Sequence, residues 1–137
     1  MISRIRTGLI FASRHFSSAV ATQESREHFV QNIMRLYQEF LLDGIDIDWE
    51  YPGQAGETGN QVNADDSNNF LLFLHQLRSS LPPSAKISAA ATQQPFVDTT
   101  GQVMRNVADF ANVLDWVLIM NYDAWDCEQE FSKRIER

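Results

Sequence analysis

The run DGIDIDWEYP, from Asp43 to Pro52, sets Asp46, Asp48 and Glu50 at every second position. Successive side chains of a strand point to opposite faces, so these acids share one face while Ile45, Ile47 and Trp49 share the other. Carboxylates about 7 Å apart in succession repel one another, and partial burial raises their pKa values further. The spacing therefore predicts shared protons, with at least one acid held neutral near neutral pH. A neutral carboxylic acid beside an ionised one is what general acid catalysis requires.

Other readings of the row fit less well. A solvated strand face would not need isoleucine and tryptophan on the opposite side. Asp46, Asp48, Glu50 and Glu57 fall at ligand positions of a twelve-residue calcium loop, but Tyr51 occupies the place where the sharp turn demands glycine. The pair Asp46 and Asp48 is too short a pattern for a metal and nucleotide-sugar site, and nothing nearby resembles a phosphate cradle. No metal or other cofactor is expected.

Elements able to hold such a row follow from the apolar spacing. From Glu24 to Leu41, Phe29, Ile33, Leu36, Tyr37 and Phe40 recur at helical intervals and stop before Asp43-Gly44. Asp65, Asp66 and Ser67 are cap candidates for a second helix carrying Phe70, Leu71, Phe73, Leu74, Leu77 and Leu81, which ends at Pro82-Pro83. A third, shorter helix is expected near Arg105 to Asn112. Between them, Ile45 to Trp49, Ile87 to Ala91 and Trp116 to Met120 read as strands, the last continuously apolar as in a strand covered on both faces. Trp116 is accordingly expected in the core and Trp49 in packing beneath the helices. Gly53 to Ala64 and Phe96 to Val103 read as the loops that follow the first two strands. Alternating helices and strands imply an α/β fold with a parallel sheet and right-handed crossovers.

Composition narrows the setting. The 137 residues carry Lys+Arg 11 against Asp+Glu 18, a net charge of -7, and 44% are hydrophobic. Such acidity argues against nucleic acid and anionic membranes as partners, which clustered basic residues would meet. No apolar run is long enough to span a membrane, and Gly8 to Ala12 is too short for the core of a secretory signal. Arg4, Arg6, Arg14 and several serines precede the first acid, Glu24, a composition also found in organellar transit peptides. The single cysteine, Cys127, excludes an internal disulfide. His15, His28 and His75 show no metal spacing and default to surface or helix-flank positions.

Asp43 to Pro52 resembles the catalytic motif of glycoside hydrolase family 18, the chitinases: D-G-x-D-x-D-x-E followed in many members by Tyr-Pro. The likeness runs from about Ala12 to Trp125. Phe16-Ser17-Ser18 to Phe40 is similar to the family's segment before the motif, Asp66 to Leu81 to its following helix, and Ser88-Ala89-Ala90 to its fifth strand. Met120-Asn121-Tyr122-Asp123 resembles the sixth-strand Met-x-Tyr-Asp. The resemblance implies a partial (β/α)8 TIM barrel, about strands 4 to 6 with their helices, since a closed barrel takes about 250 residues. Residues 1–11 form a divergent segment, 12–125 the partial catalytic domain and 126–137 a charged tail.

By that resemblance the chain hydrolyses β-1,4-N-acetylglucosamine linkages in chitin with retention, using the substrate's own acetamido group as nucleophile. Glu50 is implied as acid and later base, Asp48 as the holder of the acetamido N–H, and Asp46 as a proton-sharing neighbour. Tyr122, Met120 and Asp123 are implied at the substrate, with Asp43 and Gly44 fixing the strand's start, while the place of Trp125 after Tyr122-Asp123 fits either sugar stacking or loop packing. Chitin or N-acetylglucosamine oligomers are the implied partners, and the family setting implies an extracellular site of action, although no signal peptide is legible. The family's Ser-x-Gly-Gly is missing where this sequence reads Arg6 to Phe11, and its last-strand tryptophan is absent. Two alternatives follow: a truncated, inactive or lectin-like carbohydrate-binding remnant, and an endo-β-N-acetylglucosaminidase acting on glycoproteins by the same mechanism. Open sheet edges are expected to favour self-association.

Overall fold

A computed structural model describes residues 13–56 and 58–121. A short 3-10 turn, Ser13–His15, leads into α1 (Phe16–Val20), α2 (Gln23–Glu39), β1 (Gly44–Ile47), α3 (Asp66–Ser80), β2 (Lys86–Ala91), α4 (Ala108–Ala111) and β3 (Trp116–Ile119). The strands form a three-stranded parallel sheet in the order β1-β2-β3. The α/β class, the parallel sheet and the three strands thus match the pattern read from the chain.

Local sequence explains the element ends. α2 begins at a reciprocal cap: the Thr22 hydroxyl accepts the Ser25 N–H at 3.1 Å, and the Ser25 hydroxyl accepts the Thr22 N–H at 3.0 Å. The helix stops at Glu39, and Leu41 turns into the left-handed region at φ 49. Phe40 thereby leaves the apolar stripe and is 61% exposed, unlike the buried Val30 and Ile33. α3 buries Phe70, Phe73, Leu74 and Leu77 and ends where Leu81 adopts an extended backbone before Pro82-Pro83. Asp65 is its N-cap without a side-chain cap bond, whereas Asp66 spends its carboxylate elsewhere. The third helix is shorter than expected, four residues in α4. Asn106 accepts the Ala108 N–H at 3.0 Å, so the chain just before it is committed to a turn rather than a helix.

The core lies between the helices and one face of the sheet. Trp49 stacks on Phe16 at a centroid distance of 5.3 Å and meets Phe70 edge-on at 5.4 Å. Phe96 and Phe110 stack at 3.7 Å and continue the cluster toward α4. Gly44 is required by the sheet itself, since a Cβ there would stand 2.5 Å from the Lys86 carbonyl oxygen across the β1–β2 ladder.

β3 differs from expectation. Trp116, Val117, Leu118 and Ile119 are all exposed, between 36% and 49%. Among the described residues β3 is an edge strand, β2 beside it offers only small Ala89, Ala90 and Ala91 side chains, and no described helix follows to cover it. Its apolar run therefore marks a strand built for cover on both faces, but the described residues do not provide that cover. Trp116 consequently lies outside the core.

Candidate active site

The acid row is placed by parity and by the end of a strand. Ile47 and Trp49 are buried, so Asp46, Asp48 and Glu50 occupy the opposite face, Asp48 exposed and the other two half-buried. β1 ends at Ile47, which sets Asp48 and Glu50 at the carboxyl end of the sheet. Catalytic groups of α/β barrels are found at that rim. The register carries the same face across the sheet: Asp46 pairs with Ser88, and Ser88 with Trp116. Leu118 and Met120 follow Trp116 with the same parity, so Met120 lies on the acid-row side just beyond β3. The Met120 N–H donates to the Ala91 carbonyl at 2.8 Å, which fixes its backbone.

Within the row, Asp46 accepts the Ser88 hydroxyl at 2.6 Å. Burial, then the neighbouring Glu50 and Asp46, push the Asp48 carboxyl above its ordinary value. Asp43 lies at the strand's start as expected, its carbonyl accepting the Lys86 N–H at 3.1 Å.

Beyond Glu50 the chain leaves the sheet. The Glu50–Tyr51 peptide is cis, and the Glu50 carbonyl accepts the Asn60 side-chain amide at 2.9 Å. Asp66, fully buried, accepts the Asn63 N–H at 2.8 Å, the Ser17 hydroxyl at 2.7 Å and the Gly53 N–H at 3.4 Å. Ser88, Asn60 and Asp66 were not distinguished by sequence reasoning as partners of the row. Only Ser88 left a signal, a hydroxyl inside an otherwise small apolar strand.

Tyr122, Asp123, Trp125 and Cys127 lie outside the described residues. His15, His28 and His75 are exposed, and no metal-competent cluster of His, Cys, Asp or Glu occurs among the described residues. Two surface hollows lie on the helical side, one between α2 and α3 and one beside α1, and no acid of the row lines either.

A parallel βα sheet with three carboxylates at the carboxyl end of β1 is the arrangement that sequence and structural comparisons connect with one family. The glycosyl hydrolases family 18 pattern matches residues 8–133. A chitinase-like effector of Moniliophthora roreri is 40% identical over 113 residues, covering 82% of this chain and 27% of that protein. Chitinase A1 of Niallia circulans is 31% identical over 119 residues, covering 82% of this chain and 17% of its own length. The crystal structure of a chitinase from Rhizomucor miehei superposes with a TM-score of 0.79 at 30% identity, over 85% of this chain and 32% of that one. The chain belongs to glycosyl hydrolases family 18 and forms part of its TIM barrel. It spans about a quarter or less of the curated relatives described.

Proposed function

We propose that this chain carries the catalytic acids of a chitinase-type glycosidase that cleaves β-1,4-N-acetylglucosamine linkages with retention, the substrate's acetamido group serving as nucleophile. The observation that carries the reading is the coupled acid row at the carboxyl rim, with the Asp48 carboxyl pushed up by burial and its two neighbours. Glu50 protonates the glycosidic oxygen as the bond to C1 breaks. The acetamido carbonyl oxygen attacks C1 from the opposite face, and Asp48 holds the acetamido N–H and stabilises the cationic oxazolinium ring. Glu50, now ionised, takes a proton from the water that opens the ring, so the product keeps the starting configuration. Asp46, which accepts the Ser88 hydroxyl, shares a proton with Asp48, and Asp48 is the ionised partner while it stabilises the ring. Tyr122 hydrogen-bonds the acetamido carbonyl, Met120 and Asp123 line that pocket, Trp125 stacks on the sugar, and Asp43 and Gly44 fix the strand that presents the acids. No metal or cofactor enters this scheme. An extracellular site of action belongs to the same proposal; no helix among the described residues is long and apolar enough to cross a membrane.

Hydrolysis of a fluorogenic chitobioside by the full chain tests the reading. Glu50→Gln is expected to lower the rate by at least about 100-fold. Equal rates for the two proteins would sink it.

The exposure of all four β3 residues favours a second reading, retention of chitin oligomers without turnover. Calorimetry with chitotetraose distinguishes the two, since binding without product release selects the second.

A further inference from the structure

Glu50 is not held by the sheet that presents it. The β1–β2 register ends at Ile47 with Ala89, so the three residues that follow, Glu50 among them, are held by other contacts. The Glu50 carbonyl is met instead by the Asn60 amide at 2.9 Å, and a Cβ at Gly56 would collide with that same carbonyl oxygen. The chain thus doubles back onto the Glu50 backbone from two points of one loop.

Both ends of that loop are tied to a single group. Gly53 and Asn63 donate their N–H groups to the Asp66 carboxylate at 3.4 and 2.8 Å, and Ser17 of α1 donates its hydroxyl at 2.7 Å. Asp66 has 0% exposure, and these three donors are neutral. A carboxylate buried among backbone N–H groups in the first turn of α3 is held by hydrogen bonds and the helix dipole, without a cation to be exchanged or screened. The Gln61 N–H also donates to the Arg14 carbonyl at 3.3 Å, joining the loop to the turn before α1.

We propose that residues 53–56 and 58–63 form a clasp, anchored on Asp66, in which Asn60 is the positioning residue for Glu50. This rests on the assignment of Glu50 as acid and base. Asn60 acts through the backbone: its amide fixes the Glu50 carbonyl and hence the direction from which the Glu50 side chain leaves the chain. A small error there matters, because a displacement of about 1 Å at a reacting group can cost on the order of 100-fold in rate.

The test uses the full chain and Asn60→Ala, with Asp66→Asn as a second variant acting at the anchor. Asn60→Ala is expected to lower kcat on the fluorogenic chitobioside about tenfold with KM within about twofold. The titration midpoint of the Glu50 carboxyl, followed by carbon-13 NMR, should move as its distance from Asp48 changes. A merely structural role would lower the melting temperature and scale the rate with the folded fraction, leaving the Glu50 midpoint in place. That pattern, or wild-type kcat and midpoint together, overturns the proposal. A wild-type chain without turnover contradicts the hydrolase reading separately, and the Glu50 midpoint in Asn60→Ala then decides the clasp by itself.

Discussion

Asp46 and Asp48 are unlike in their surroundings although they are two residues apart. Asp46 accepts the Ser88 hydroxyl at 2.6 Å, whereas burial and two acidic neighbours push Asp48 up. The sign of the Asp48 effect follows directly. Between the ordinary value of 3.8 and its higher folded value, the native chain binds the proton more tightly than the unfolded chain, so stability falls as pH rises through that window. Asp48→Asn should therefore melt above wild type at neutral pH, with the gain vanishing below the ordinary carboxylate range; calorimetry at two pH values checks this. Ser88→Ala should slow turnover about tenfold while leaving the melting temperature within a few degrees, because one hydrogen bond contributes about 0.5–1.5 kcal/mol net. The side to which Asp46, Asp48 and Glu50 point was legible from alternation alone. Their partners were not, since Ser88, Asn60 and Asp66 reach the row or its loop through register and chain reversal, which no spacing in one segment encodes.

At the scale of elements, the helices with a sustained apolar stripe were readable nearly to their ends, and Pro82-Pro83 closed α3 as expected. α1 gave no such stripe, being five residues long. β3 was readable as a strand and misread as covered, because apolar content reports what a strand can bury and not what lies against it. The β1–β2 ladder depends on Gly44, and Gly44→Ala should destabilise the fold by about 1–3 kcal/mol, measurable by urea unfolding. At the far end of the sheet Asp115 joins β2, α3 and β3: it accepts Arg78 at 2.6 Å, Lys86 at 2.8 Å and the Ile87 N–H at 2.9 Å. Partial burial pushes its carboxyl up, but Lys86, the Ile87 N–H and Arg78 outweigh this and hold it far below the usual carboxylate range. Its contribution is present above the unfolded value of about 3.9 and is lost as pH falls below it. Asp115→Asn should thus lower the melting temperature at neutral pH and leave it near wild type in strong acid.

At the scale of the whole molecule, three parallel strands carry the acids at one rim while both sheet edges remain unpaired among the described residues. Parallel sheets are ordinarily enclosed, and an edge bearing Trp116, Val117, Leu118 and Ile119 is a template for pairing with another chain. Sedimentation velocity of the 137-residue chain should show concentration-dependent self-association, and Leu118→Lys should weaken it. The family membership rests on residues 8–133, and the proposed chemistry on a narrower base, the row Asp46, Asp48 and Glu50 with the segment that follows. The most direct measurement is anomer-resolved proton NMR of chitotetraose during its first turnovers by the full chain. Substrate-assisted cleavage led by Glu50 predicts products released first as the β-anomer, with no release by Glu50→Gln. First release of the α-anomer, or equal release by the two proteins, would contradict it.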